Sequence, residues 1–111
     1  MATNLDFSRA VELNLKTNII GLFTAVLIFA RDDAGAVNFG SDALKFKVYK
    51  DNWSSTATID WDSGDAFLVS TATLTFNSAL NISDLGVGVH KYQLYNVTSN
   101  QAIAFGDFEV I

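Results

Sequence analysis

The chain has no cysteine and no proline, and only one histidine and one methionine in 111 residues. Without cysteine there is no disulfide framework and no thiol chemistry. Small extracellular domains more often carry a bridge, so its absence points to assembly in a reducing cytoplasm. With His90 as the single histidine, a zinc site of the usual Cys/His kind is excluded. Without proline, exposed strand edges must be protected by charges, short strands or partner pairing. Basic residues are also few: seven against twelve acidic ones, a net charge of −5. That excludes a binder driven by the nucleic-acid backbone, which needs a basic stripe. The longest apolar run, Ile19 to Ala30, has twelve residues and is interrupted by Gly21 and Thr24. A membrane helix needs about twenty. The start, Met1 to Lys16, is polar and carries Asp6 and Glu12, unlike a signal peptide.

What is present is apolar and aromatic. Half the residues are hydrophobic, with nine Phe, three Tyr and two Trp, enough for a core without staples. No repeat, low-complexity tract or linker divides the chain, so residues 1–111 read as a single domain. Ile19–Ala30 is rich in β-branched and aromatic residues and ends at the turn signal Asp32-Asp33-Ala34-Gly35, so it reads as a buried strand. Both its faces are apolar. Leu22, Val26 and Ile28 share one, and Phe23, Ala25, Leu27 and Phe29 the other. A sandwich strand needs one face for the core. The Phe23, Ala25, Leu27, Phe29 face is assigned outward here, as an interface candidate joined by the apolar C-terminal residues Phe108 and Ile111.

Elsewhere a period of two dominates. Val11, Leu13 and Leu15 alternate with polar residues, and Leu5 and Phe7 precede them as an extended arm or short strand. Leu44, Phe46 and Val48 alternate with Lys45, Lys47 and Tyr49. Ala57, Ile59 and Trp61 form a strand expected to make a hairpin with the next through Asp62-Ser63-Gly64-Asp65. Phe67–Phe76 reads as one strand with Ala66, Leu68, Ala72, Leu74 and Phe76 inward. Ser83–Gly86 suggests a single helical turn. Val89–Val97 and Ala102–Ile111 complete the chain, the last with Ala104, Gly106, Phe108 and Val110 on one face. About seven short strands with regular turn signals are the pattern of an all-β, antiparallel β-sandwich. A closed barrel has the same pattern.

Candidate chemical groups are sparse. His90 has no nucleophile elbow or triad signature around it, so no enzyme is expected and a structural histidine is the preferred reading. Asp60, Asp62 and Asp65 surround a Gly turn and are candidate oxygen ligands for Ca²⁺. The segment lacks the length and the bidentate Glu of an EF-hand, and a hairpin turn explains it as well. No cofactor is implied. Trp53, in the polar stretch Lys50–Thr58, is a candidate glycan-stacking residue, whereas Trp61 reads as core. Three glycosylation sequons, at Asn52, Asn81 and Asn96, carry no weight without a signal peptide. Tyr92-Gln93-Leu94 after Gly88 suggests the penultimate strand of an Ig-like sandwich, with a Tyr bonding back to a loop carbonyl.

Four features together resemble the small Ig-like β-sandwich virion proteins of tailed bacteriophages, and most nearly the N-terminal domains of baseplate upper proteins. They are Asn4-Leu5-Asp6-Phe7, the Asp32–Gly35 turn, Tyr92-Gln93-Leu94, and Gly106-Asp107-Phe108-Glu109-Val110. The resemblance implies a non-enzymatic structural protein of the virion, assembled in the host bacterial cytoplasm. It would bind other virion proteins in capsid decoration or in tail or baseplate assembly, and a homo-oligomer is expected. The alternative function is a carbohydrate-binding or host-adhesion module, which the sandwich fold equally accommodates.

Overall fold

The structure is a computed structural model and describes residues 2–6, 11–30, 38–50 and 56–111. Among them are ten strands and one short helix. These are β1 (Ala2–Asp6), β2 (Val11–Glu12), β3 (Leu15–Thr17), β4 (Phe23–Ala30) and β5 (Leu44–Tyr49), then β6 (Ile59–Asp62), β7 (Phe67–Ser70) and β8 (Thr73–Ser78), then α1 (Ile82–Leu85), β9 (Gly88–Asn96) and β10 (Gln101–Val110). They build two sheets, ordered β1-β4-β8-β7 and β2-β10-β9-β5-β6, with β3 also on the edge of β10. The chain is an all-β sandwich. Its interior pairs are antiparallel, but β1 runs parallel to β4, and β2 and β3 parallel to β10. The count exceeds seven because Ala2–Asp6 forms a strand of its own, the next edge strand breaks at Leu13-Asn14 and the Phe67–Phe76 segment breaks into a hairpin.

That hairpin turns on Thr71-Ala72, with Thr71 at φ 57. Phe67 pairs with Phe76 and Ser70 with Thr73. Leu74 and Phe76 point inward as expected, but so does Phe67, while Leu68 is exposed. The expectation of one continuous strand put the first half in the wrong phase. A non-glycine residue at positive φ carries no strong turn signal in sequence. The expected β6–β7 hairpin is absent too: β6 pairs with β5, and β7 lies in the other sheet with β8. The Ser63–Ala66 corner instead carries the chain between sheets. Ser63 Oγ accepts from the Leu44 N–H at 3.0 Å, and the Gly64 N–H, at φ 82, donates to the Phe67 carbonyl at 2.7 Å.

The core is aromatic and centred on Phe46. Its ring lies 5.1 Å from Phe76, 5.3 Å from Tyr92, 5.5 Å from Trp61, 5.8 Å from Phe108 and 6.0 Å from Phe23. The inward face of β4 therefore consists of Phe23, Leu27 and Phe29, all buried, with half-buried Ala25 between them. This reverses the outward assignment of those four residues. Phe108 is likewise core rather than interface. The outward residues are Thr24, Val26 and Ile28. Alternation cannot set the phase of a strand that is apolar on both sides, and a one-residue slip exchanges the faces. Side-chain size decided it: the large rings fill the space between sheets, and the β-branched residues take the outside.

Candidate functional site

The outer face of the six-stranded sheet is a ladder of opposite charges in register. Lys45 lies opposite Asp62, and Lys47 opposite Asp60. The Lys45 ammonium sits 2.8 Å from Asp62 and 3.3 Å from Asp60. Those two carboxylates hold the Lys45 pKa above its ordinary value, Asp62 first and Asp60 second. Lys91 meets Asp107 at 2.5 Å, and Lys16 meets Glu109 at 3.6 Å. The structure thus gathers two of the three candidate Ca²⁺ ligands, Asp60 and Asp62, around an ammonium. Asp65 sits in the turn, where its N–H donates to the Asp62 carbonyl at 3.3 Å. Among the described residues no three His, Cys, Asp or Glu side chains form a metal-binding group.

On the same face lies a hollow of about 330 Å³ lined by Lys45, Lys47, Gln93, Tyr95 and Val97. The Tyr95 hydroxyl is hydrogen-bonded to Asn100, which fixes the ring against the hollow. Trp53 lies outside the described residues. Trp61 is buried, and its indole N–H donates to the Leu80 carbonyl at 3.2 Å. His90 is also buried, with Nε2 2.9 Å from the Gly86 carbonyl oxygen.

Tyr92 points inward from β9, and its hydroxyl donates to the Leu13 carbonyl at 2.6 Å. Burial pushes the phenol pKa up. The acceptor belongs to the break between β2 and β3, which is pinned three further ways. The Leu13 N–H donates to the Phe105 carbonyl at 2.9 Å. The Asp107 N–H donates to Asn14 Oδ1 at 3.1 Å. A Cβ on Gly106 would stand 2.5 Å from the Leu13 oxygen, so the glycine lets this edge lie flat on β10. The break is a structural clasp, joining the first third of the chain to its last strand.

The strongest concentration of unexplained surface is one end of the sandwich. β3 ends there at Thr17, β4 begins there at Phe23 opposite the last residue of β8, and β9 begins there at Gly88 opposite Val110. The Ile19 N–H donates to the Ile111 carbonyl, and the Ile111 N–H to the Thr17 carbonyl, both at 2.9 Å. Asn18 shapes the turn: its Oδ1 accepts from the Ile20 N–H at 3.0 Å, and its carbonyl from the Gly21 N–H at 3.1 Å. Nine large apolar side chains are exposed among the described residues, and six of them lie at this end: Ile20, Leu22, Leu80, Val87, Val89 and Ile111. Their exposures run from 50 to 91%, with Ile20 the highest. The molecule measures 39 × 25 × 21 Å, and the long axis suits a ten-residue strand of about 33 Å plus turns. The six therefore belong to one end of the sandwich, Val89 standing at its rim on the outer sheet face beside Lys16 and Glu109.

Of the interface residues expected from sequence, Ile111 belongs to this end, whereas Phe23, Ala25, Leu27 and Phe29 face inward and Phe108 is core. Sequence reasoning missed the other five. Their signal was an apolar residue where folding needs none. Ile20 stands inside the Asn18–Gly21 turn, Val87 between Gly86 and Gly88, and Leu80 just before Asn81 at φ 65. Compared with known proteins, the chain matches no family model and no curated protein.

Proposed function

We propose that this chain is a non-enzymatic structural protein of a bacteriophage virion, serving in capsid decoration or in tail or baseplate assembly. The single observation that carries the assembly part is the apolar end formed by Ile20, Leu22, Leu80, Val87, Val89 and Ile111. A concentration of exposed apolar residues of that kind marks an interaction site. A protein partner accounts for it better than a small ligand, because the surface is an end face rather than a concave pocket. The virion part rests on the resemblance of Asn4–Phe7, Asp32–Gly35, Tyr92–Leu94 and Gly106–Val110 to tailed-phage sandwich proteins. In this reading the sandwich is Ig-like, and its other partners are further virion proteins. The test is mass spectrometry of purified particles from a phage genome that encodes this chain. Stoichiometric incorporation is expected, reduced in a Val87→Asp variant. A chain absent from particles but abundant in lysate would reject the reading.

A second reading, carbohydrate binding, draws on the hollow between Lys47, Gln93 and Tyr95, which combines an aromatic ring with polar groups. It requires glycan-array binding that Tyr95→Ala abolishes. An array without hits would remove it.

A further inference from the structure

We infer that the apolar end is covered by a second copy of this chain, giving an end-to-end dimer about a two-fold axis. The inference rests on the assembly reading and names the partner of that same surface.

Two observations select the second copy. The first is area. From their fractional exposures, the six apolar residues leave on the order of 700 Å² accessible, close to the roughly 800 Å² per partner of a standard stable interface. A self-contact that covered all of it would bury up to about 1,400 Å² in total, within the usual range for specific association.

The second observation is charge. Each copy carries −5, so two copies repel unless they meet through a neutral surface. Among the described residues the ionisable side chains at this end are Lys16, Lys50, Asp84 and Glu109, two of each sign. Lys16 and Glu109 already face each other, and Asp84 accepts from the Asn81 amide at 2.8 Å. Of the other ladder charges, Asp60, Asp62, Lys91 and Asp107 lie on the sheet face rather than on the end, with Lys91 two residues from Val89. In an isologous interface each residue of one copy meets the same surface on the other. With its described side-chain charges balanced in sign, the end limits the opposition of like charges. The outer face of the four-stranded sheet then stays open to other partners.

The test uses the full chain. Sedimentation velocity is expected to give a species of twice the 12.1 kDa chain mass. Ile20→Asp and Val87→Asp are each expected to raise the dissociation constant by roughly 30-fold or more, as for a central interface residue. Both should retain the wild-type far-UV circular dichroism, because neither side chain is in the core. A measurement that avoids charge substitutions uses the absence of cysteine. A spin label on Ile20→Cys should give an inter-copy distance below about 25 Å, the width of the end. A label on Ser99→Cys, at the far end, should give pairs separated by about twice the 39 Å long axis. A monomer at concentrations up to ~100 µM overturns the inference. So does a dimer that persists in both Asp variants, or one in which the Ser99 labels are the closer pair. These results are distinguishable from failure of the virion reading. A monomer found stoichiometrically in particles keeps that reading and rejects the dimer. A dimer absent from particles does the reverse.

Discussion

Replacing Gly106 with alanine probes the clasp between the N-terminal edge and the last strand. The new Cβ would stand 2.5 Å from the Leu13 carbonyl oxygen, 3.0 Å from that carbonyl carbon and 3.0 Å from Asn14 Oδ1. To reach ordinary contact, the edge strand must retreat by roughly 0.9 Å or β10 must buckle. The obstacle is backbone rather than a flexible side-chain tip, so relief is not local. Three hydrogen bonds lie in the path of the retreat: Tyr92 hydroxyl to Leu13 carbonyl, Leu13 N–H to Phe105 carbonyl, and Asp107 N–H to Asn14. Losing one or two of them costs about 0.5–1.5 kcal/mol each. Overpacking adds about 1–3 kcal/mol. Because the retreat trades one cost against the other, a net loss of ~2–4 kcal/mol is expected. For a domain of this size that lowers the melting temperature by roughly 8–16 °C. Thermal denaturation followed by circular dichroism measures it. A shift within ~2 °C of wild type would refute the clasp.

Other consequences follow from the same contacts. Tyr92→Phe should cost about 1–2 kcal/mol in chemical denaturation, because the Leu13 carbonyl loses its buried donor. The Tyr92 phenol is also held above its ordinary 10.0 by burial. The unfolded chain therefore ionises first as pH rises, so stability is full below about pH 10 and declines above it. Lys45, raised by Asp62 and Asp60, acts with the same sign. Tyr92→Phe should flatten the alkaline limb of a melting-temperature profile between about pH 9 and 12, and an unchanged limb would assign it to other groups. Phe23→Asp should abolish soluble folded protein, since it places a carboxylate among the rings of Phe46, Phe76 and Phe108. Recovery of a folded Phe23→Asp variant would restore the outward assignment of that face. Lys45→Ala should cost only about 0.2–1 kcal/mol, less at high salt, because its pairs with Asp60 and Asp62 are solvent-accessible.

Much of the architecture was legible wherever one face of a strand is polar. The β5 alternation of Leu44, Phe46 and Val48 with lysines places its core face correctly, and so does the β10 set Ala104, Gly106, Phe108 and Val110. The single helical turn before Gly86 also matches, whereas the tyrosine expected to bond back to a loop carbonyl as a tyrosine corner instead bonds Leu13 on the distant edge strand. What was not legible has common physical causes. β4 is apolar on both sides, so its phase depends on which side chains fill the inter-sheet space. The Thr71-Ala72 turn contains no glycine, asparagine or aspartate to announce it, and it is imposed by the pairing of Phe67 with Phe76. The Asp62–Asp65 segment has the composition of a hairpin but serves as a corner between sheets, a choice made by long-range packing. The apolar end could not be read because its members are scattered from Ile20 to Ile111, and only the topology gathers them.

The apolar end is the centre of the functional account, and a cryo-electron microscopy map of the assembled particle tests it most directly. The account predicts density for this chain with Ile20, Val87 and Ile111 buried against protein, the neighbour being a second copy. A particle lacking the chain, or holding it with that end facing solvent, would contradict it.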